Sequence, residues 1–184
     1  MTPEEIQKII TLQEVKGCFF EGGLAGYAGG GKYKPDVCGN KVFTLQTGKL
    51  TYVDSYVSFE KQSGGMIVIF HKTTHVPIWM MQYEGKELFN NEQVNKRMTE
   101  IVKEALHDAY SKRIFCGGRG LPQHFPIGGT ESIENGAVYY NDVNMENDTF
   151  AKFSGKEKII KWVKGQPTTV FYHNYSGKLL VPLK

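Results

Sequence analysis

The chain has 184 residues, a formal net charge of +3, 40% hydrophobic and 22% charged residues, and many aromatic side chains and glycines (11 Phe, 10 Tyr, 2 Trp, 21 Gly). A chain of this length buries roughly 70% of its unfolded surface and needs no metal or disulfide to hold a core, and its composition is that of a folded protein. The mild charge gives no basic stripe for nucleic acid, the apolar runs at 66–70 and 76–81 are far below the roughly 20 residues of a membrane span, and the N-terminus, with Glu4 and Glu5, has no basic-then-apolar leader.

The chain opens in helical language. Thr2 caps, Pro3 takes the favoured first position, and Glu4 and Glu5 suit the positive helix end. Ile6, Ile9, Ile10 and Gln13 form one face, and Gly17 is the expected stop. The run 26–32, Gly-Tyr-Ala-Gly-Gly-Gly-Lys, superficially suggests a phosphate cradle. A P-loop, however, needs GxxxxGK followed by Ser or Thr and a helix. Here Tyr33 follows Lys32, and Lys34-Pro35 opposes a helix, so a glycine turn or a flap over a pocket is expected. Segments 42–45, 50–59, 66–71 and 76–83 are rich in β-branched and aromatic residues and read as strands. Thr47-Gly48 and Ser63-Gly64-Gly65 read as turns between them.

The clearest helix covers 92–110. Val94, Met98, Ile101, Val102, Ala105 and Ala109 recur with the period of one buried stripe. Asn90 with Gln93 reads as a capping box, and Glu100, Lys103 and Glu104 read as a solvated face. Strand vocabulary then returns at 113–116, 137–140, 149–153, 158–163 and 168–175. Most connections are too short for parallel crossovers, which implies antiparallel meanders.

The sequence also repeats itself. Glu5-Ile6, Lys8, Phe20 and Gly22-Gly23 recur as Glu100-Ile101, Lys103, Phe115 and Gly117-Gly118. Residues 54–59 recur as 148–153, with Asp54 echoed by Asp148. Ile67-Val68 recurs as Ile159-Ile160, and Ile78-Trp79 with 82–86 as Val170-Phe171 with 174–178. The expected fold is α+β: a single domain, 1–184, of two pseudo-repeated halves at about 2–89 and 90–184. Each half is a helix plus an antiparallel β-meander, and the two share one core, because one helix on one small sheet is marginal alone. The groove between the halves is then the default place for a ligand.

Asp is disfavoured within strands, so Asp54 stands out as a buried acid, a ligand contact or a structural tie. Tyr27, Tyr56, Trp79 and Tyr83 fall on neighbouring segments, as core or as the walls of an aromatic pocket. Arg119 sits in a glycine-broken loop, where a guanidinium clamps a carboxylate or phosphate or forms an internal ion pair with Asp54 or Glu157. The three cysteines, Cys18, Cys38 and Cys116, are odd in number and without CxxC spacing, which suits free thiols in a reducing cytoplasm. The five histidines form no metal signature, so no metal and no cofactor is expected. A Cys-His pair, Cys116 with His124 or His173, is the nucleophile arrangement that spacing alone leaves open.

Tyr27-Ala28-Gly29-Gly30, Tyr52-Val53-Asp54-Ser55-Tyr56 and the segment 77–85 (Pro-Ile-Trp-Met-Met-Gln-Tyr-Glu-Gly) resemble an uncharacterised bacterial domain family. That family carries a "YAGGG, YxDSYF, PVWxMNYYG" succession. Arg119-Gly120, the segment 153–157 and Tyr175-Ser176-Gly177 resemble its later stretches, so the likeness spans most of 18–181. Gln82, Val57-Ser58 and Leu121 depart from the pattern. Members occur alone or behind an Xre-type helix-turn-helix regulator, which implies a sensing or partner-binding role. This chain, with one short helix expected before its sheet, reads as a stand-alone copy without direct DNA binding.

The function expected from these residues is a non-enzymatic, cytoplasmic, sensor-like module, a monomer or homodimer, that binds a small polar ligand or a protein partner. Tyr27, Asp54, Tyr56, Trp79, Tyr83 and Arg119 would line its pocket. The alternatives are a hydrolase or transferase using Asp54 or the Cys-His pair, and an interaction or immunity-like accessory protein.

Overall fold

The computed structural model describes residues 2–126, 136–145 and 150–183. Two helices open the chain where one was expected: α1 (Pro3–Ile9) and α2 (Leu12–Ala25). Thr2 and Glu5 form a capping box on the first, Thr11 and Glu14 on the second. The second box restarts the helix just after Ile10 leaves helical geometry at φ −125°. Gly17 does not stop α2. Gly22 and Gly23 lie inside it for a packing reason: a Cβ on Gly22 would collide with the Tyr52 ring, and one on Gly23 would stand 2.6 Å from the Tyr110 ring.

The strands are β1 (Lys34–Pro35), β2 (Lys41–Thr47), β3 (Leu50–Phe59), β4 (Gln62–His71) and β5 (Pro77–Glu87), then, after α3 (Glu92–Ser111), β6 (Gln123–Pro126), β7 (Gly136–Met145), β8 (Lys152–Val163) and β9 (Gln166–Leu179). They form one nine-stranded antiparallel sheet in the order β1-β2-β3-β4-β5-β9-β8-β7-β6. Several expectations change. Ser63-Gly64-Gly65 is no turn; it lies inside β4, and the chain reverses at Glu60, whose φ is 51°. Segment 113–116 is no strand but a loop with an isolated Cys116–Arg119 bridge. Phe153 and 158–163 belong to one strand, β8; Thr149 and Asp148 lie outside the described residues. The N-cap of α3 is Asn91, whose Oδ1 accepts from Val94 N at 3.1 Å, in place of Asn90.

Helices α2 and α3 cover one face of the sheet. The period-2 alternation of the strands decides which side chains meet them. Tyr52 and Asp54 of β3, Trp79 and Met81 of β5, and Phe171, His173 and Tyr175 of β9 point inward and are buried. Gln82, Glu84, Ser154 and Asn174 point outward and are exposed. From α3 the buried stripe is Met98, Ile101, Val102, Ala105, Leu106, Ala109 and Tyr110, as its periodicity requires. Trp79 is 0% exposed at the centre of this core: it stacks on Phe150 at 4.9 Å, meets Phe19 edge-on at 5.2 Å, and donates from Nε1 to Phe150 O at 3.0 Å.

The last strand of each half of the sheet, β5 and β9, pair with each other, and Tyr83 stands opposite Tyr175. Each tyrosine leans over a glycine of the next strand, Gly65 or Gly155, to reach a side chain one strand further. Tyr83 donates to Asp54 Oδ1 at 2.8 Å, and Tyr175 donates to Asn141 Oδ1. Both flanking ladders shift register once, β4·β5 at Ile69/Phe70 and β8·β9 at Ile159/Ile160.

Candidate functional site

A cavity of about 360 Å³ lies between the inner face of the sheet and the two long helices. Five of the six expected pocket residues, Tyr27, Asp54, Tyr56, Tyr83 and Arg119, line it; Trp79 does not and is core. Residues from both sides of position 90 contribute, since Lys103 and Tyr110 of α3, Arg119 and His173 also line it. Lys103 therefore departs from the solvated face assigned to it: it is partly buried, with Nζ 5.2 Å from the centre of the Tyr27 ring. Its neighbours Glu100 and Glu104 are exposed and pair with Arg97.

The glycine run 26–31 folds back on the end of α2. Gly26 N donates to Gly22 O at 2.8 Å and Gly31 N to Gly26 O at 2.7 Å, which fixes Tyr27 at the cavity. Asp54 is 3% exposed and both of its oxygens are taken: Tyr33 donates to Oδ2 at 2.6 Å and Tyr83 to Oδ1 at 2.8 Å. Burial pushes its carboxyl above the ordinary value; the two tyrosine hydroxyls and the charge of Arg119 oppose that shift without cancelling it.

Arg119 is placed by the loop that follows α3. Gly117 and Gly118 take φ of 62° and 68°, a left-handed turn that L side chains disfavour. Tyr110 OH pins the loop by donating to Gly118 O at 2.7 Å, and Asn141 Nδ2 donates to Cys116 O at 2.9 Å. The guanidinium, 5% exposed, lies 4.7 Å from the Tyr83 ring centre and 5.6 Å from that of Tyr175. Its Nη1 is 3.6 Å from Glu157 Oε1, the ion pair that the sequence offered as one alternative. Arg119 Nε and Nη2 are buried with no hydrogen-bond partner among the described residues. Burial disfavours the charge, but Glu157 together with the hydroxyls of Tyr110, Tyr139 and Tyr83 outweighs it, and Arg119 stays protonated.

Behind Arg119, Glu157 is 0% exposed. His173 Nδ1 lies 2.7 Å from its Oε1, and Tyr139 OH donates to its Oε2. Burial alone would raise the Glu157 carboxyl; Arg119, His173 and Tyr139 together hold it at about 2. The other ring nitrogen of the histidine, Nε2, lies 3.3 Å from Ser63 Oγ. Strand register explains this line of contacts: Ser63 pairs with Gly85, Gly85 with His173, and His173 with Glu157, one row across four strands. Gly85 leaves the space the imidazole occupies, since any Cβ there would collide with the ring.

The contacts of His173 are thus with Ser63 and Glu157 rather than Cys116. All three cysteines are free; burial pushes the Cys18 thiol up to about 12 and raises that of Cys116. Sequence reasoning missed Tyr33, Ser63 and Lys103, and named Glu157 and His173 only as partners of other groups. Among the described residues no His, Cys, Asp and Glu cluster suits a metal, and no helix is long and apolar enough to cross a membrane.

Fold and site together define an α+β protein whose sheet and helices enclose a polar, tyrosine-walled cavity around one buried arginine. The chain belongs to the DUF5680 family, described as a domain of unknown function, whose model matches residues 54–180. The matched span includes Asp54, Tyr83, Arg119, Glu157 and His173 but not Tyr27. No curated protein and no solved structure matches the chain.

Proposed function

We propose that the cavity binds a small organic anion, a carboxylate-bearing molecule of metabolite size, and that the protein serves as a cytoplasmic sensor-like module. The observation that carries this reading is Arg119, a buried cation whose Nε and Nη2 have no acceptor among the described residues. Each unsatisfied buried donor costs about 1–3 kcal/mol, and more beside a charge. An acceptor with two oxygens meets both nitrogens of one guanidinium edge, the geometry for which arginine is suited. Tyr27, Tyr56 and Tyr83 supply flat walls, and Asp54 holds the Tyr33 and Tyr83 hydroxyls in place. The free thiols support a reducing compartment, and the mild charge supports a role without direct DNA binding.

The same reading takes the chain as two pseudo-repeated halves, about 2–89 and 90–184, in one domain. The mirrored strand order about β5 and β9, the paired register shifts, and the matching reach of Tyr83 and Tyr175 over glycines support it. In that scheme Asn141, which accepts from Tyr175 as Asp54 does from Tyr83, corresponds to Asp54.

The test is a melting-temperature screen against succinate, glutarate, adipate, benzoate and phosphate. Ligand at 100 times its Kd stabilises by about 2.7 kcal/mol, an upward shift of about 5–10 °C for a chain of this size. Arg119→Lys, which keeps the charge and loses the fork, is expected to abolish the shift. A carboxylate shift unchanged in Arg119→Lys, or no shift with any of the five, refutes the reading.

A further inference from the structure

We infer that Ser63, His173 and Glu157 form a nucleophile-activating relay, and that the chain hydrolyses an ester through an acyl-serine intermediate. Three observations carry it. The contacts run in sequence, Ser63 Oγ to His173 Nε2 at 3.3 Å and His173 Nδ1 to Glu157 Oε1 at 2.7 Å. Ser63 and His173 line the cavity, whereas Glu157, wholly buried, stands behind the histidine and does not. The row that joins them needs a glycine between serine and histidine, and Gly85 is there. A structural histidine needs no hydroxyl on its cavity side; a general base does.

The electrostatics fit that role. Glu157 stays ionised and only accepts, so Nδ1 donates to it, and in the neutral ring Nε2 is the nitrogen left to accept from the serine. Ser63 Oγ attacks the ester carbonyl carbon while its proton passes to His173 Nε2. The tetrahedral adduct collapses, the bond to the leaving oxygen breaks, and the Nε2 proton goes to that oxygen, releasing the alcohol. Water then attacks the acyl-serine, giving its proton to Nε2. Collapse releases the carboxylic acid, and the Nε2 proton returns to Ser63. The net change is ester plus water to acid plus alcohol, with no external redox partner. Ser63 and His173 are the catalytic residues and Glu157 is a positioning residue. That the favoured ester carries a free carboxylate rests on the anion-binding reading of Arg119; the relay itself does not.

Two 4-nitrophenyl esters and one inhibitor test this on the full chain at 20 °C. Mono-4-nitrophenyl adipate carries a free carboxylate, 4-nitrophenyl butyrate does not, and a fluorophosphonate labels an activated serine. The wild type is expected to hydrolyse both esters above the buffer rate, to favour the adipate in kcat/KM, and to gain one phosphonyl adduct mapped to Ser63. Ser63→Ala and His173→Gln are each expected to lose about 100-fold or more in kcat. Ser63→Ala should keep the wild-type melting temperature and carboxylate shift. Glu157→Gln should lower kcat with KM little changed, the pattern of an interaction made in the transition state. Arg119→Lys should erase the adipate preference in kcat/KM. No adduct and no turnover in a wild type that still shows the carboxylate shift overturns the relay and leaves the anion site standing. An adduct at Ser63 with turnover but no carboxylate shift does the reverse. Undiminished turnover in Ser63→Ala also overturns the relay.

Discussion

Glu157→Gln isolates the charge at the centre of the buried network while nearly preserving shape. The carboxyl is wholly buried and is held at about 2 against an ordinary 4.5. A shift of that size, at about 1.4 kcal/mol per unit, makes the ionised form worth about 3 kcal/mol to the folded state. A second argument gives the same order: removing one member of a buried ion pair costs about 3–5 kcal/mol, because Arg119 is left uncompensated. For a chain of 184 residues this corresponds to a fall of about 6–12 °C in Tm at pH 7. The sign with pH follows from the lowered value. Glu157 contributes fully above 4.5, and the contribution is lost as pH falls from there towards 2. Thermal melts by circular dichroism from pH 7 down to pH 3 should therefore show the two proteins converging in acid. A variant within 2 °C of wild type at pH 7, or a gap that does not narrow below pH 4.5, refutes the reasoning.

The remaining predictions concern the neighbours of that network. Asp54 shifts the opposite way, its carboxyl raised by burial. The wild type therefore loses stability relative to Asp54→Asn as pH rises through and above the ordinary carboxylate value, and Tm differences between pH 3.5 and 8 check it; a constant difference would sink the assignment. Gly85→Ala forces a Cβ into the His173 ring and the Tyr172 carbonyl and should cost about 1–3 kcal/mol, read in chemical denaturation. Trp79→Ala empties the core beneath α2 and should cost about 3–5 kcal/mol while the carboxylate shift survives, because Trp79 does not line the cavity. Thr11→Ala removes the cap that restarts α2 and should cost about 1 kcal/mol.

The parts of this fold that were legible in the sequence are those set by local periodicity. Residues 50–59 form β3 from end to end, and α3 departs from its expected span by one residue at Ser111. The misreadings concentrate at glycines. Ser63-Gly64-Gly65 looks like a turn, yet Gly65 sits beneath the Tyr83 hydroxyl inside β4, and Gly17 looks like a stop, yet it lies inside α2, which runs on to place Gly22 beneath the Tyr52 ring. Their reason lies in residues far along the chain, which no local window contains. The site divides in the same way. Tyr27, Asp54, Tyr56, Tyr83 and Arg119 stood out by residue type alone. Ser63, His173 and Glu157 became a row only through the pairing of β5 with β9, a register that spacing along the chain does not encode.

The β5·β9 seam also governs when the protein is able to become itself. Until β9 has been synthesised, β5 is the open margin of an unfinished sheet, and 92 residues separate Glu87 from Leu179. At roughly 5–20 residues per second, a ribosome leaves that margin uncovered for about 5–20 s. Trp79 and Met81 lie on this strand, so the nascent chain spends that interval with its future core short of half its walls. Closure then joins strands distant in sequence, which places the seam among the slow steps of folding.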